Sequence, residues 1–176
     1  MIGVLASGEG TNLQALIDHG LPISAVASNR TGAHALERAR AAGIPAAVFE
    51  LGDERVSRDL AMADWLEEHR VEFVVLAGYM QLLTPAFLAR FPDRIVNVHP
   101  SLLPDFPGLS AIEQAVAAGV RTTGVTVHLV DEGIDSGPVL RQEPVPVEPV
   151  ETLVERIHSV EHRLLPEVVR ELCAAR

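Results

Sequence analysis

Short apolar runs rich in β-branched residues alternate along the chain with longer segments whose apolar residues recur at helical spacing. The runs predict strands at residues 2–6, 24–28, 46–49, 73–76 and 95–98. The segments between them predict helices at residues 11–18, 33–42, 55–70 and 85–90. Strands that alternate with helices in this way are typical of a parallel sheet with right-handed crossover connections.

The pattern changes after a further predicted helix at residues 111–118. Two strands follow with no helix between them, at residues 124–129 and 139–145, and we expect them to pair antiparallel. A closing helix is predicted at residues 150–174, where Pro166 should kink or divide it. The predicted fold class is therefore α/β, with a doubly wound, mostly parallel sheet, a Rossmann-like N-terminal half and a single domain over residues 1–176.

Composition supports this class and limits the partners. Hydrophobic residues make up 48% of the chain and aromatic residues only 4%, so the core must consist of aliphatic side chains, as in a sheet covered by helices. The net charge of −10 argues against nucleic acid, which a protein binds through a basic surface. No run approaches the length of a membrane span, and the N-terminus reads as a strand, so we expect a cytoplasmic protein without a membrane partner.

A glycine-rich loop, SGEGTN, joins the first predicted strand to the first helix at residues 7–12. Gly10 allows a tight turn, and Thr11 and Asn12 open a helix whose free N–H groups suit a phosphate. A dinucleotide is a poorer fit because Leu13 replaces the third glycine of the usual pattern, although Arg30 leaves a phosphorylated dinucleotide open. A plain capped turn without a ligand is the structural alternative.

A polar pair lies at the end of a strand that is otherwise apolar. Asn97 and His99 are two residues apart on a predicted strand, so both side chains point to one face. An amide and an imidazole at the end of a strand can stabilise a developing oxyanion. Asp135, on a loop punctuated by glycine and proline, is a candidate carboxylate partner for His99, although such loops are often only solvated turns. A cis peptide is expected before Pro104.

Metal chemistry is not predicted. The single Cys173 excludes an intramolecular disulfide and any cysteine-rich cluster. His158 and His162 have the one spacing that could ligate a metal from a helix, but with Glu161 beside them a substrate site or a helix surface is favoured. The remaining histidines, His128 among them, show no ligand-like clustering in the sequence.

These motifs together resemble the phosphoribosylglycinamide formyltransferases, folate-dependent enzymes of purine synthesis. The resemblance covers residues 2–166 and is carried by SGEGTNLQ at 7–14, LAGYM at 76–80, NVHPSLLP at 97–104, GVTVH at 124–128 and DSGP at 135–138. It implies a formyltransferase fold and transfer of a formyl group from 10-formyltetrahydrofolate, as co-substrate, to the amine of glycinamide ribonucleotide.

The resemblance also implies a role for each matching residue. The ribonucleotide would be bound by Gly10, Thr11, Asn12 and Glu161. The folate would be bound by Arg58, Met80, Gln81, Leu82, Leu83, Asn97, Asp131, Glu132, Gly133, Ile134 and Asp135. The catalytic residues would be Asn97, His99 and Asp135, without a metal. Gln81 departs from the pattern, because many relatives carry arginine there, so the resemblance does not carry over an arginine contact near the folate tail.

This reaction is chemically consistent with the residues. When the amine attacks the formyl carbon, Asn97 and a protonated His99 can stabilise the oxyanion, each donor contributing about 3 kcal/mol. Asp135 can pair with the imidazolium and organise a water that carries the proton. A deformylase using the same folate, or a non-catalytic nucleotide-binding module, are the alternatives. The expected partners are small molecules, and the expected assembly is a monomer or a homodimer.

Overall fold

The computed structural model describes residues 1–50, 52 and 54–175. The chain forms two compact units, the first over Met1–Val96 and the second beginning at Asn97. Among the residues that the structure describes, no helix is both long and apolar enough to cross a membrane.

The first unit is built on four parallel strands. Their order is β3-β2-β1-β4, and their bounds are β1 Ile2–Leu5, β2 Ile23–Ser28, β3 Ala46–Val48 and β4 Phe73–Leu76. The helices are α1 Thr11–Asp18, α2 His34–Ala41, α3 Arg55–Glu68 and α4 Pro85–Leu88. All residues of β1 and β4 are buried, as expected for central strands covered on both faces.

The order of the strands reverses between β1 and β4, which is where open α/β sheets bind ligands. β1 pairs with β2 on one side and with β4 on the other, so the strand order reverses between β1 and β4. Ligands bind outside the carboxyl ends of the strands at such a point. The loops that follow these two strands are the glycine loop and the segment that begins at Ala77.

The second unit contains the antiparallel pair. Strand β5 spans Ile95–His99 and ends in this unit, helix α5 spans Ala111–Ala117, and strands β6 and β7 span Thr122–Leu129 and Val139–Pro146. β6 and β7 pair antiparallel along their lengths. A short 3₁₀ turn at Val150–Thr152 leads into helix α6, Leu153–Ala174, whose buried face includes Ile157, Leu164 and Val169. This apolar face packs on β6 and β7.

The predicted α/β class, the mostly parallel strands and the antiparallel final pair are confirmed. Element bounds agree with the sequence predictions to within two residues, except that the closing helix begins at Leu153 and not at residue 150, because a 3₁₀ turn precedes it. The expectation that Pro166 divides the last helix is wrong, because α6 continues through it. Pro166 is itself buried beside Leu164 and Leu165, and burial of this apolar face outweighs the loss of one helical hydrogen bond. The single-domain assignment stays a prediction.

Candidate active site

Asn97 and His99 lie on one face of the end of β5 and reach the same carboxylate. The side-chain amide of Asn97 donates to Oδ1 of Asp135 at 3.3 Å. Nδ1 of His99 lies 3.3 Å from Oδ2 of Asp135, and the exposed fractions of the two side chains are only 6% and 13%. The sequence prediction that these three residues form a cluster agrees with this geometry.

The surroundings of His99 suit a charged ring. Nε2 lies 2.8 Å from the backbone carbonyl oxygen of Phe106, and Nδ1 faces the carboxylate of Asp135. A carbonyl and a carboxylate oxygen can only accept, so both ring nitrogens must carry a proton to satisfy both contacts. The structure therefore presents His99 in a site that accommodates the imidazolium form.

Asp135 is held by several donors on a strained backbone. Oδ2 accepts the backbone N–H of Gly108 at 2.7 Å. Burial by itself would raise the pKa of this carboxyl, but hydrogen bonds from His128 and Gly108 and the nearby charge of His99 together lower the pKa below 3.8. The residue also has φ of 50°, in the left-handed region that non-glycine residues rarely adopt. Such strain persists where surrounding contacts fix the residue, as they do here.

His128 is a member of the cluster that sequence reasoning missed. Its Nε2 lies 3.5 Å from Oδ1 of Asp135 and 3.2 Å from the side-chain nitrogen of Asn97. Its Nδ1 is 2.8 Å from the backbone oxygen of Leu129, which can only accept. A signal was present in the sequence, because Thr126 and His128 alternate with valines and thus place two polar side chains on one face of β6.

The loop after β5 is fixed by polar contacts from β6 and β7. The Thr126 hydroxyl donates to the Ser101 carbonyl at 2.7 Å and accepts the Leu103 amide at 3.1 Å. The Gln142 side chain donates to the Leu103 carbonyl at 2.8 Å. The expected cis peptide at Leu103–Pro104 is confirmed. These contacts fix the backbone of the loop between the end of β5 and the residues Phe106 and Gly108.

The acidic loop that precedes Asp135 is stabilised by one of its own members. Oδ1 of Asp131 accepts the Gly133 amide at 3.0 Å and the Ser136 hydroxyl at 2.8 Å. Glu132 and Ile134 are exposed, and the Ile134 side chain is 55% accessible. An exposed apolar side chain next in sequence to a half-buried carboxylate is a feature that a flat aromatic ligand could cover.

In the first unit, the glycine loop rests against the start of α2. Gly10 has φ of 72°, and a Cβ built on it would lie 2.7 Å from Cα of Ala35. The Ala35 amide donates to the Gly8 carbonyl at 3.0 Å, and Arg38 donates to the Glu9 carbonyl at 2.8 Å. Only glycine allows this close approach, which sets Thr11 and Asn12, both half-buried, at the amino end of α1.

The segment after β4 exposes apolar side chains. Met80 and Leu82 are 60% and 56% accessible, while Gln81 and Leu83 are half-buried. The Met80 amide donates to the Ser7 hydroxyl at 2.8 Å, which links this segment to the start of the glycine loop. The Ser7 hydroxyl in turn donates to the Asn29 side chain at 2.5 Å.

The two arginines at the start of α3 differ sharply in exposure. Arg58, which the resemblance places near the folate, has a side chain only 5% exposed, with Nη2 2.7 Å from Oδ1 of Asp59. That contact is an ion pair without hydrogen-bond alignment. Arg55, which sequence reasoning passed over, is exposed and donates to the Leu82 carbonyl at 2.7 Å.

Helix α6 places Glu161 in a buried position and a histidine pair in an open groove. Glu161 is 6% exposed. The rings of His158 and His162 stack with centroids 6.0 Å apart. Burial, and then the charge of His158, lower the pKa of His162. Within residues 1–50, 52 and 54–175, no group of three or more histidine, cysteine or acidic side chains is arranged to hold a metal ion.

Comparison with known proteins decides the family. The family model described as Formyl transferase matches residues 1–169. The phosphoribosylglycinamide formyltransferase of Bacillus subtilis is 38% identical over 180 residues, which are 96% of this chain and 92% of that protein. The chain belongs to the phosphoribosylglycinamide formyltransferase family.

Structural similarity to the phosphoribosylglycinamide formyltransferase family extends along the whole chain. The crystal structure of glycinamide ribonucleotide transformylase 1 from Symbiobacterium toebii matches with a TM-score of 0.95 and 45% identity, over 99% of this chain and 88% of that one. The chain is also 43% identical over 182 residues to the trifunctional purine biosynthetic protein adenosine-3 of Chironomus tentans, and it spans 13% of that protein's length. The predicted family and formyltransferase fold are confirmed.

Proposed function

We propose that this chain transfers the formyl group of 10-formyltetrahydrofolate to the amine of glycinamide ribonucleotide. The observation that carries the proposal is the carboxylate of Asp135, only 13% exposed, which contacts both Asn97 and His99. This is an arrangement of an amide donor, an imidazolium and a base that acyl transfer to an amine requires. Membership of the phosphoribosylglycinamide formyltransferase family supports the same reaction.

The ribonucleotide phosphate is assigned to the glycine loop. Gly10, Thr11 and Asn12 present the amino end of α1, where backbone N–H groups have no helical partner and the helix dipole favours an anion. A phosphate monoester needs no basic patch at such a position, which agrees with the net charge of −10. Glu161 is assigned to the glycinamide part, where a carboxylate can accept from the amine.

The folate is assigned to two segments with exposed apolar side chains. The first segment consists of Met80, Gln81, Leu82 and Leu83. The second segment consists of Asp131, Glu132, Gly133, Ile134 and Asp135. In the first segment Met80 and Leu82 expose apolar side chains, and in the second Ile134 does the same, so each segment by itself offers apolar contact area to the folate.

In the reaction, the amine nitrogen forms a bond to the formyl carbon and the carbonyl oxygen gains negative charge. Asn97 donates a hydrogen bond to that oxygen. Nε2 of His99 also donates to it, in place of its hydrogen bond to the Phe106 carbonyl. The C–N10 bond to the folate then breaks. Asp135, ionised at neutral pH, organises the water that removes the amine proton and returns a proton to the departing nitrogen. No bond to the protein forms at any stage.

The test is a two-substrate assay. The chain is mixed with glycinamide ribonucleotide and 10-formyltetrahydrofolate, and both loss of the formyl donor and formation of formylglycinamide ribonucleotide are measured. Turnover that requires the ribonucleotide supports the proposal. Loss of the formyl donor at the same rate without the ribonucleotide indicates a deformylase, and binding without turnover indicates a nucleotide-binding module, so either result contradicts it.

A further inference from the structure

The segment at residues 80–84 is attached to the rest of the first unit through its backbone at every second residue. The Met80 amide donates to Ser7 at 2.8 Å, the Leu82 carbonyl accepts from Arg55 at 2.7 Å, and the Thr84 amide donates to Oδ2 of Asp59 at 2.7 Å. Of these three contacts, only the last is fully buried. It is therefore the one that water is least able to replace.

Asp59 is an unusual residue to find at this position. Its side chain is completely inaccessible, on a helix that the sequence alone would predict to turn apolar residues inward. A buried carboxylate is strongly unfavourable unless an opposite charge and hydrogen bonds compensate it. Arg58 supplies the charge at Oδ1, and the Thr84 amide supplies the hydrogen bond at Oδ2. The two oxygens thus have different partners.

Arg58 has few other contacts. Its Nε and Nη1 are buried and find no hydrogen-bond partner among the residues that the structure describes. The only described charge within ion-pair distance is that of Asp59. An arginine with a side chain 5% exposed is poorly placed to reach the carboxylates of a folate tail, whereas the exposed Arg55 on the same helix is not so limited.

We infer that Asp59 is a positioning residue for the folate-binding segment and that Arg58 acts as its buried counter-charge, not as a folate contact. The inference rests on the assignment of residues 80–83 to the folate in the proposed function. Affinity for the folate then depends on the hydrogen bond that the residue 59 side chain accepts from the Thr84 amide. The Arg58 guanidinium affects folate affinity only by compensating the charge of the Asp59 carboxylate.

Two double variants separate these roles. Arg58→Met with Asp59→Asn removes both charges but keeps an oxygen that accepts the Thr84 amide. Arg58→Met with Asp59→Leu removes both charges and the acceptor. The first should keep the KM for 10-formyltetrahydrofolate within about threefold of the parent chain, while the second should raise it by roughly tenfold or more, the usual effect of losing a buried hydrogen bond. The KM for glycinamide ribonucleotide should change little in either.

Folding and local attachment are measured independently of activity. Trp65 is the only tryptophan and lies on the same helix, so its fluorescence reports the urea midpoint of each variant. Hydrogen exchange of the Thr84 amide should be slow in the parent and in the asparagine variant and fast in the leucine variant. Glu68→Gln, an acid-to-amide change at an exposed position of α3, is the matched control and should leave the exchange and both KM values unchanged.

The inference is overturned if both double variants raise the folate KM equally, since Arg58 itself would then contact the folate. It is also overturned if neither raises it. Calorimetric titration with 10-formyltetrahydrofolate alone separates this result from failure of the proposed function. A parent chain that binds the folate but transfers no formyl group contradicts only the proposed function, and the variants are then judged by Kd. A parent chain that does not bind the folate contradicts both.

Discussion

Nδ1 of His99 lies 3.3 Å from Oδ2 of Asp135, with both side chains almost completely buried. The other ring nitrogen of His99 lies 2.8 Å from the backbone carbonyl oxygen of Phe106, which can only accept a hydrogen bond. The predictions about Asp135 and His128 depend on this pair.

Asp135→Asn should reduce kcat by roughly 100-fold or more, which is the usual contribution of a positioned acid or base. The asparagine keeps an acceptor for the Gly108 amide, so both substrates should still bind. Steady-state kinetics together with calorimetric Kd values check this. A variant with full activity would show that Asp135 does not manage the proton.

The same variant should lose less stability in acid than the parent chain. The folded state lowers the pKa of Asp135 below 3.8, so the ionised carboxylate contributes stability above that value and loses it as the pH falls through the folded pKa. Urea unfolding of both chains at about pH 7 and about pH 3 measures the difference. Equal losses of unfolding free energy in the two chains would contradict the prediction.

His128→Leu should raise the pKa of Asp135, because the hydrogen bond from His128 is the strongest of the interactions that lower it. The acid limb of the kcat/KM profile should then move to higher pH. Carboxyl-carbon NMR titration of Asp135 checks the pKa directly. His69→Gln changes a histidine in the first unit that packs on Trp65, so it serves as the control and should leave the profile unchanged.

Gly10→Ala should destabilise the chain by at least about 1 kcal/mol, since alanine is strained at positive φ. The added Cβ would also lie 2.7 Å from Cα of Ala35 and displace the glycine loop, which should raise the KM for glycinamide ribonucleotide roughly tenfold. Gly8→Ala is the matched control, because a Cβ there meets nothing within 4 Å. Equal effects of the two substitutions would show that contact with Ala35 is unimportant.

The ionisation of Tyr79 can be followed without labels, because it is the only tyrosine in the chain. Burial raises the pKa of its hydroxyl to about 12, an effect that the nearby charge of Arg58 partly offsets. Absorbance of the phenolate should therefore rise only near that pH in the folded chain, and stability should fall as the pH increases above the ordinary value of 10.0. A midpoint near the ordinary value would mean that the hydroxyl is hydrated.

The sequence predicts best where one element alone determines the geometry. Asn97 and His99 share a face because strand side chains alternate, and that was predictable from their spacing. The partnership of His128 with Asn97 was not, because the residues are 31 positions apart and belong to different strands. Their contact depends on how strands are arranged, which no local pattern specifies. The burial of Arg58 is predictable from the sequence, because Met62 and Leu66 follow it at helical spacing and therefore lie on the same face of α3. Both are fully buried.

Residues 80–84 are held in place by hydrogen bonds to their backbone, so the position of this segment does not depend on which side chains it carries. Ser7, Arg55 and Asp59 bind amide and carbonyl groups that every residue type except proline possesses. Met80, Gln81 and Leu82 can therefore be exchanged without moving the chain that carries them. If residues 80–83 bind the folate as we propose, the segment is a favourable place for the selection of altered folate preference or of resistance to a competing folate analogue.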